Sequence, residues 1–165
     1  MNPTNSPAIS AEFIAMMDRG VSVIASSRDQ ANRPSIMRAV GSAVAPDASL
    51  VTVYVSRRQS RQFLQDVAAT GRIAVVFSEP STHRTVQVKG VQASIRSAEA
   101  ADEPVLARYL ASMEIEIQRV GFGPPVTRAM LAYKLEDLVA ISFAPAQAFD
   151  QTPGPKAGAP MGVRA

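Results

Sequence analysis

The stretch VTVYVSRRQSRQFLQDVAATGRIAVVF, Val51 to Phe77, decides the fold. Its first part, Leu50 to Val55, is β-branched and aromatic and reads as a strand. QSRQFLQDVAATG then carries Phe63, Leu64, Val67 and Ala68 at helical spacing and closes on Gly71, so a helix of two to three turns follows. Arg72 to Phe77 returns to strand character. Between the first strand and the helix, Arg57, Arg58 and Arg61 fall within five positions. Cations at a helix start oppose the macrodipole, a conflict of roughly 0.3–1 kcal/mol each. Conflicts of this kind gather at functional sites, where a bound anion removes them. On its own the cluster reads either as a solvated basic loop or as an anion site.

Upstream, SAEFIAMMDRG predicts a short helix with Ser10 as cap, Phe13, Ile14 and Met17 on one face and Gly20 at its end. Val21 to Ser26 and Ile36 to Val44 read as strands, separated from each other and from Leu50 to Val55 by turn-rich RDQANRP and APDAS. Such short connections favour antiparallel neighbours. Downstream, SEPSTH is a hairpin-like turn, and Thr85 to Ile95 is a strand with a bulge expected at Gly90. DEPVLARYLASMEIEIQRVG has a capping Asp102, Pro104 in its first turn and a stripe through Leu106, Tyr109, Met113 and Ile117, so a long helix is expected. Pro124 and Pro125 prevent its continuation. Ala132 to Phe143 is expected as the sixth and last strand. Residues 149–165, rich in Pro and Gly, are expected as an irregular arm beyond a domain spanning 1–148.

The 165 residues suit one domain, which at this size buries roughly 70% of its unfolded surface. With no cysteine, disulfides, thiolate nucleophiles, zinc-thiolate sites and iron–sulfur clusters are excluded. The single histidine, His83, cannot build a histidine metal cluster and reads as a polar turn residue, so no metal is expected. Hydrolase elbow, Walker loop and dinucleotide fingerprint are absent, and Glu136 and Asp137, consecutive on a strand, would point to opposite faces. A net charge of +3 does not suggest bulk nucleic-acid binding, and aromatics at 5% give a single-strand binder few stacking platforms. No run approaches the ~20 apolar residues of a membrane helix, and MNPTNSPAISAEF lacks a signal-peptide pattern, so a cytoplasmic protein is expected. An anion site without protein-borne redox or nucleophilic groups borrows its chemistry from a cofactor.

The order of these elements, with VSRRQSRQF after the third strand, RPSIMRAVG before it and HRTVQVKG after it, resembles the FMN-binding split-barrel family around pyridoxamine 5′-phosphate oxidase, over about Ile9 to Phe143. The resemblance implies a mainly β, α+β fold: a six-stranded antiparallel split β-barrel with flanking helices. It implies FMN as cofactor, with Ser56, Arg57 and Arg58 on the phosphate, Arg38 completing the clamp, Arg61 capping it, Tyr54 and Val55 facing the ring edge through their backbone, and Arg84 and Thr85 beside the flavin. Physically, an arginine fork matches a phosphate two oxygens at a time. It further implies a homodimer with the flavin between subunits and a small-molecule substrate, hence a flavoprotein oxidoreductase. A chain with no tryptophan, whose end KAGAPMGVRA departs from the oxidase's closing segment, is expected to be a relative with a different electron partner. The alternatives on the same fold are a non-catalytic flavin or haem carrier, with His83, a tyrosine or a methionine as axial ligand, and a deazaflavin-dependent reductase.

Overall fold

The computed structural model describes residues 6–162. Four helices, α1 (Ala11–Arg19), α2 (Arg61–Thr70), α3 (Glu103–Arg119) and α4 (Pro124–Met130), flank ten strands. The strands are β1 (Ser22–Arg28), β2 (Pro34–Arg38), β3 (Gly41–Val44), β4 (Val51–Ser56), β5 (Ile73–Ser78), β6 (Thr85–Gly90), β7 (Ser94–Ser97), β8 (Leu138–Phe143), β9 (Pro145–Asp150) and β10 (Ala159–Pro160). They form two antiparallel sheets, one in the order β10-β9-β6-β5-β1-β2 and one in the order β3-β4-β8-β7. The fold is therefore α+β and antiparallel, as expected, but the expected six strands become ten.

The extra strands arise because the chain changes sheet in mid-run. Ile36 to Val44, expected as one strand, breaks at Ala39 and Val40: Ala39 N donates to Val23 O at 3.0 Å in the first sheet, and Val40 N donates to Tyr54 O at 2.8 Å in the second. Thr85 to Ile95 breaks after Gly90, where the pairing of β6 with β9 shifts register at the expected bulge. A Cβ at Gly90 would overlap the Phe143 ring, so only glycine lets the two sheets approach there. We expect Gly90→Ala to cost about 1–3 kcal/mol in urea unfolding. Ala144 alone separates β8 from β9.

Local signals explain the helices. Ser10 Oγ accepts from Phe13 N at 3.3 Å and Gly20 ends α1. Gly71, at φ +65°, closes α2 in the left-handed conformation expected of a C-cap. α3 ends at Arg119, ahead of Pro124 and Pro125, which then open the first turn of a further helix, α4, where a missing N–H is harmless. One expectation fails nearby. Asp102 sits at the N-cap of α3 without a side-chain cap bond, because its carboxylate is used elsewhere.

The last strand starts at Leu138 rather than Ala132; Leu135–Asp137 form a 3₁₀ turn instead, so Glu136 and Asp137 are not strand neighbours. The tail is more regular than expected: β9 crosses position 148 to pair with β6, and β10 returns to pair with β9, while residues 163–165 lie outside the described part. The main core runs from Val23, Val53, Val75 and Ile141 of the strands to Phe63 of α2 and Met113 of α3, all at most 2% exposed, and a smaller cluster joins Val40, Tyr54, Leu106, Leu138 and Ala140. At roughly 25 cal/mol per Å² of apolar surface, this burial is the main force holding helices to sheets.

Candidate functional site

β4 delivers the basic turn to the rim of the second sheet. Tyr54 and Val55 are buried, whereas the turn from Ser56 to Ser60 emerges at the end of the strand and feeds α2. The turn is held by a residue that sequence reasoning missed, Asp137. Its carboxylate accepts from Ser56 Oγ at 2.6 Å and from Arg58 N at 3.2 Å, and lies 3.5 Å from Arg58 Nε, while its carbonyl accepts from Arg57 N at 2.7 Å. Arg57 Nη2 donates to Ser97 Oγ at 3.0 Å on β7. Arg61 is exposed in the first turn of α2, a turn with no acidic residue.

Ser60 Oγ is buried with no hydrogen-bond partner, and at the N-cap its side chain makes no bond to the helix, whose first turn is held by Leu64 N donating to Ser60 O at 2.9 Å. A helix start with an unused cap, no acid and two exposed arginines fits an incoming anion. A phosphate therefore fits Arg57, Arg61 and the first-turn N–H groups. Ser56 and Arg58 already serve an anion of the chain itself, the Asp137 carboxylate, and would have to share it.

The other expected residues are placed apart. Arg38, at the end of β2, donates from Nη1 to Ser22 Oγ at 3.1 Å and lines a cavity of about 340 Å³ with Ser78, His83 and Met113. Thr85 joins this group through a hydroxyl contact, Ser78 Oγ to Thr85 Oγ1 at 2.7 Å. Arg84 turns away to Glu12 at 3.1 Å and stacks over the Phe13 ring at 5.3 Å. His83 occupies the turn between β5 and β6, as expected, at φ +62°. The site residues thus form two half-sites that share no hydrogen bond or ion pair among the described residues, the turn of Ser56, Arg57, Arg58 and Arg61 and the group of Arg38 and Thr85, with Arg84 outside both.

Tyr54 is the hinge between turn and core. Its hydroxyl donates to Asp102 Oδ1 at 2.8 Å, and Arg96 meets both carboxylate oxygens of Asp102 at 2.7 Å, with Glu99 N adding a bond at 2.9 Å. The Arg96 hydrogen bonds hold the Asp102 carboxyl well below its usual range. Burial, and then the Asp102 carboxylate, push the Tyr54 phenol up to about 12. A phenol raised in the folded state stabilises fully below its unfolded value near 10 and loses that contribution as pH climbs towards 12. Urea midpoints should therefore fall between pH 10 and 12, and less steeply in Tyr54→Phe. Tyr109 and Tyr133, both also pushed up by burial, remain in both proteins and account for the residual slope.

Among the described residues no group of three acidic or histidine side chains is placed to hold a metal ion, and no helix is long and apolar enough to cross a membrane. No family model matches the chain, and none of the curated proteins is similar to it in sequence. Solved structures share its fold. A candidate pyridoxamine 5′-phosphate oxidase from Lactobacillus delbrueckii aligns at TM-score 0.55 and 13% identity over 88% of this chain and 95% of that one. HupZ from Group A Streptococcus aligns at 0.54 and 14% over 91% and 99%, and an F420 reductase at 0.55 and 16% over 81% and 93%. At these identities the likeness is one of fold, and the chain has the fold of pyridoxamine 5′-phosphate oxidase-like structures.

Proposed function

We propose that this chain is an FMN-dependent oxidoreductase that works as a homodimer in the cytoplasm, with a split barrel whose corners are the three places where the chain passes from one sheet to the other without an intervening helix. The observation that carries the reading is the anion-ready start of α2: Arg57 and Arg61 exposed beside first-turn N–H groups and the unused Ser60 cap. These groups bind the flavin phosphate, with Arg58 and Ser56 sharing it with Asp137. The Arg38 and Thr85 half-site orients the ring. FMN, when bound, supplies hydride or electron exchange at N5 with a small organic molecule. No side chain of the chain need act as a base; its part is to bind, orient and exclude water.

The second copy follows from the division of the site. Arg38, Ile24, Val76, Gln87 and Phe149 stand side by side in one row on one face of the first sheet by register. A partner laid on this row covers its apolar residues and brings one copy's turn to the other's Arg38 and Thr85.

The cofactor test is a titration with FMN followed by flavin fluorescence, with sedimentation of the same samples. Stoichiometric binding to a dimer is expected; a monomer that leaves flavin fluorescence unchanged contradicts the reading. Asp137→Asn keeps an acceptor for Arg58 N but removes the competing charge, so FMN should bind severalfold tighter, about 1 kcal/mol. A deazaflavin with a phosphate-bearing tail suits the same cations, and one fold neighbour is an F420 reductase. Titration with that cofactor beside FMN separates the two.

A further inference from the structure

A second cavity opens on the same face of the first sheet, one row of residues along from Arg38, and none of the residues assigned above to the flavin lines it. It measures about 660 Å³, within the range of small-molecule sites. Its floor follows from strand register. Ser26, Ala74, Lys89 and Gln147 lie opposite one another across β1, β5, β6 and β9, so their side chains share one face. The two small residues, Ser26 and Ala74, make the hollow. Arg28, two residues along β1 from Ser26, and Arg72, just before β5, rise at its end.

The charges here are one-sided. Arg28, Arg72 and Lys89 line the cavity, no carboxylate does, and none of the three is in an ion pair among the described residues. Asp29, in the adjoining loop, is closed off by Arg33, whose backbone N and Nε reach its two oxygens at 2.9 and 2.8 Å. Arg28 is turned to the neutral Asn32, and the Lys89 ammonium sits 4.7 Å from the centre of the Phe149 ring. Three cations around one hollow repel each other, and a bound anion removes that cost. The floor hydroxyls are already satisfied, Ser26 Oγ on Ala74 O and Ser27 Oγ on Arg72 O, while Pro34, Ile73, Val91 and Ala146 add apolar wall. A bare inorganic ion would leave that wall uncovered.

We infer that this cavity binds a flat organic anion, its charged group between Arg28, Arg72 and Lys89 and its apolar body on the floor of Ser26 and Ala74. The inference does not rest on the flavin assignment, but it requires that the second copy proposed above cover the Arg38 row and leave the Ser26 row open.

The test is amide NMR of the ¹⁵N-labelled full chain titrated separately with 2-naphthalenesulfonate, neutral 2-naphthalenemethanol and inorganic phosphate. The sulfonate should shift the amides of Ser26, Ser27, Ala74, Gly90 and Gln147 saturably, with the alcohol and phosphate each at least tenfold weaker there. Arg28→Gln with Lys89→Gln should weaken the sulfonate at least tenfold and leave FMN titration unchanged, and Arg57→Ala with Arg58→Ala should leave the sulfonate shifts unchanged. Shifts confined to other surfaces, or an alcohol that binds as well as the sulfonate, would overturn the inference whether or not the double variant folds. Phosphate binding as tightly as the sulfonate would overturn the flat-body part.

Discussion

Arg57→Ala combined with Arg58→Ala is expected to weaken FMN binding about a hundredfold, some 2.7 kcal/mol. A charge-assisted hydrogen bond to phosphate contributes about 1.5–3 kcal/mol. The sum of two is discounted here because Arg58 is 75% exposed and already shares its donors with Asp137. Arg57 carries the larger part: its backbone is fixed on Asp137 O and its guanidinium on Ser97 Oγ, so little freedom is lost when the phosphate arrives. Lysine at both positions keeps the charge but not the two-pronged geometry and should fall between wild type and the alanine pair. Both side chains are exposed, so the urea midpoint should hold. An affinity within threefold of wild type would remove the turn from the site.

Asp102→Ala is expected to cost about 2–4 kcal/mol of stability, read as a lower urea midpoint at neutral pH. The substitution strands two groups at once: the Tyr54 hydroxyl, in a residue 3% exposed, loses its acceptor, and Arg96 loses both oxygens of its partner. Arg96 is half-exposed and recovers water, so the Tyr54 hydroxyl dominates the loss. Because the Asp102 carboxyl is held below its ordinary range, its contribution is present at neutral pH and is lost only in acid below that range. The difference between wild type and Asp102→Ala should therefore shrink in strong acid and stay constant from pH 5 to 8. A loss under about 0.5 kcal/mol would mean that the network around Tyr54 contributes nothing net.

Where a feature was set by neighbours in the chain, its sequence was enough to find it. The Ser10 and Gly20 ends of α1 and the Gly71 end of α2 rest on contacts within a few residues, and β4 and β5 are legible from their β-branched and aromatic residues, although their pairing is with distant strands. The breaks rest on distant ones. The apolar run Ile36 to Val44 looks continuous, and only the choice of Val23 for Ala39 and Tyr54 for Val40 divides it. PAQAFD becomes β9 because β6, about 60 residues earlier, offers it an edge. The SRRQSR turn stood out by charge, but Asp137, its partner, lies about 80 residues away in a segment whose alternation mimics a strand. Arg28, Arg72 and Lys89 are equally scattered, and strand register alone assembles them.

The most direct measurement of the central claim is the visible absorption spectrum of the purified chain, with mass spectrometry of whatever it releases on denaturation. A flavin spectrum and the mass of FMN, at one per chain and lost in Arg57→Ala with Arg58→Ala, is the predicted result. A colourless chain that takes up no FMN when it is added, or a haem spectrum, would contradict it.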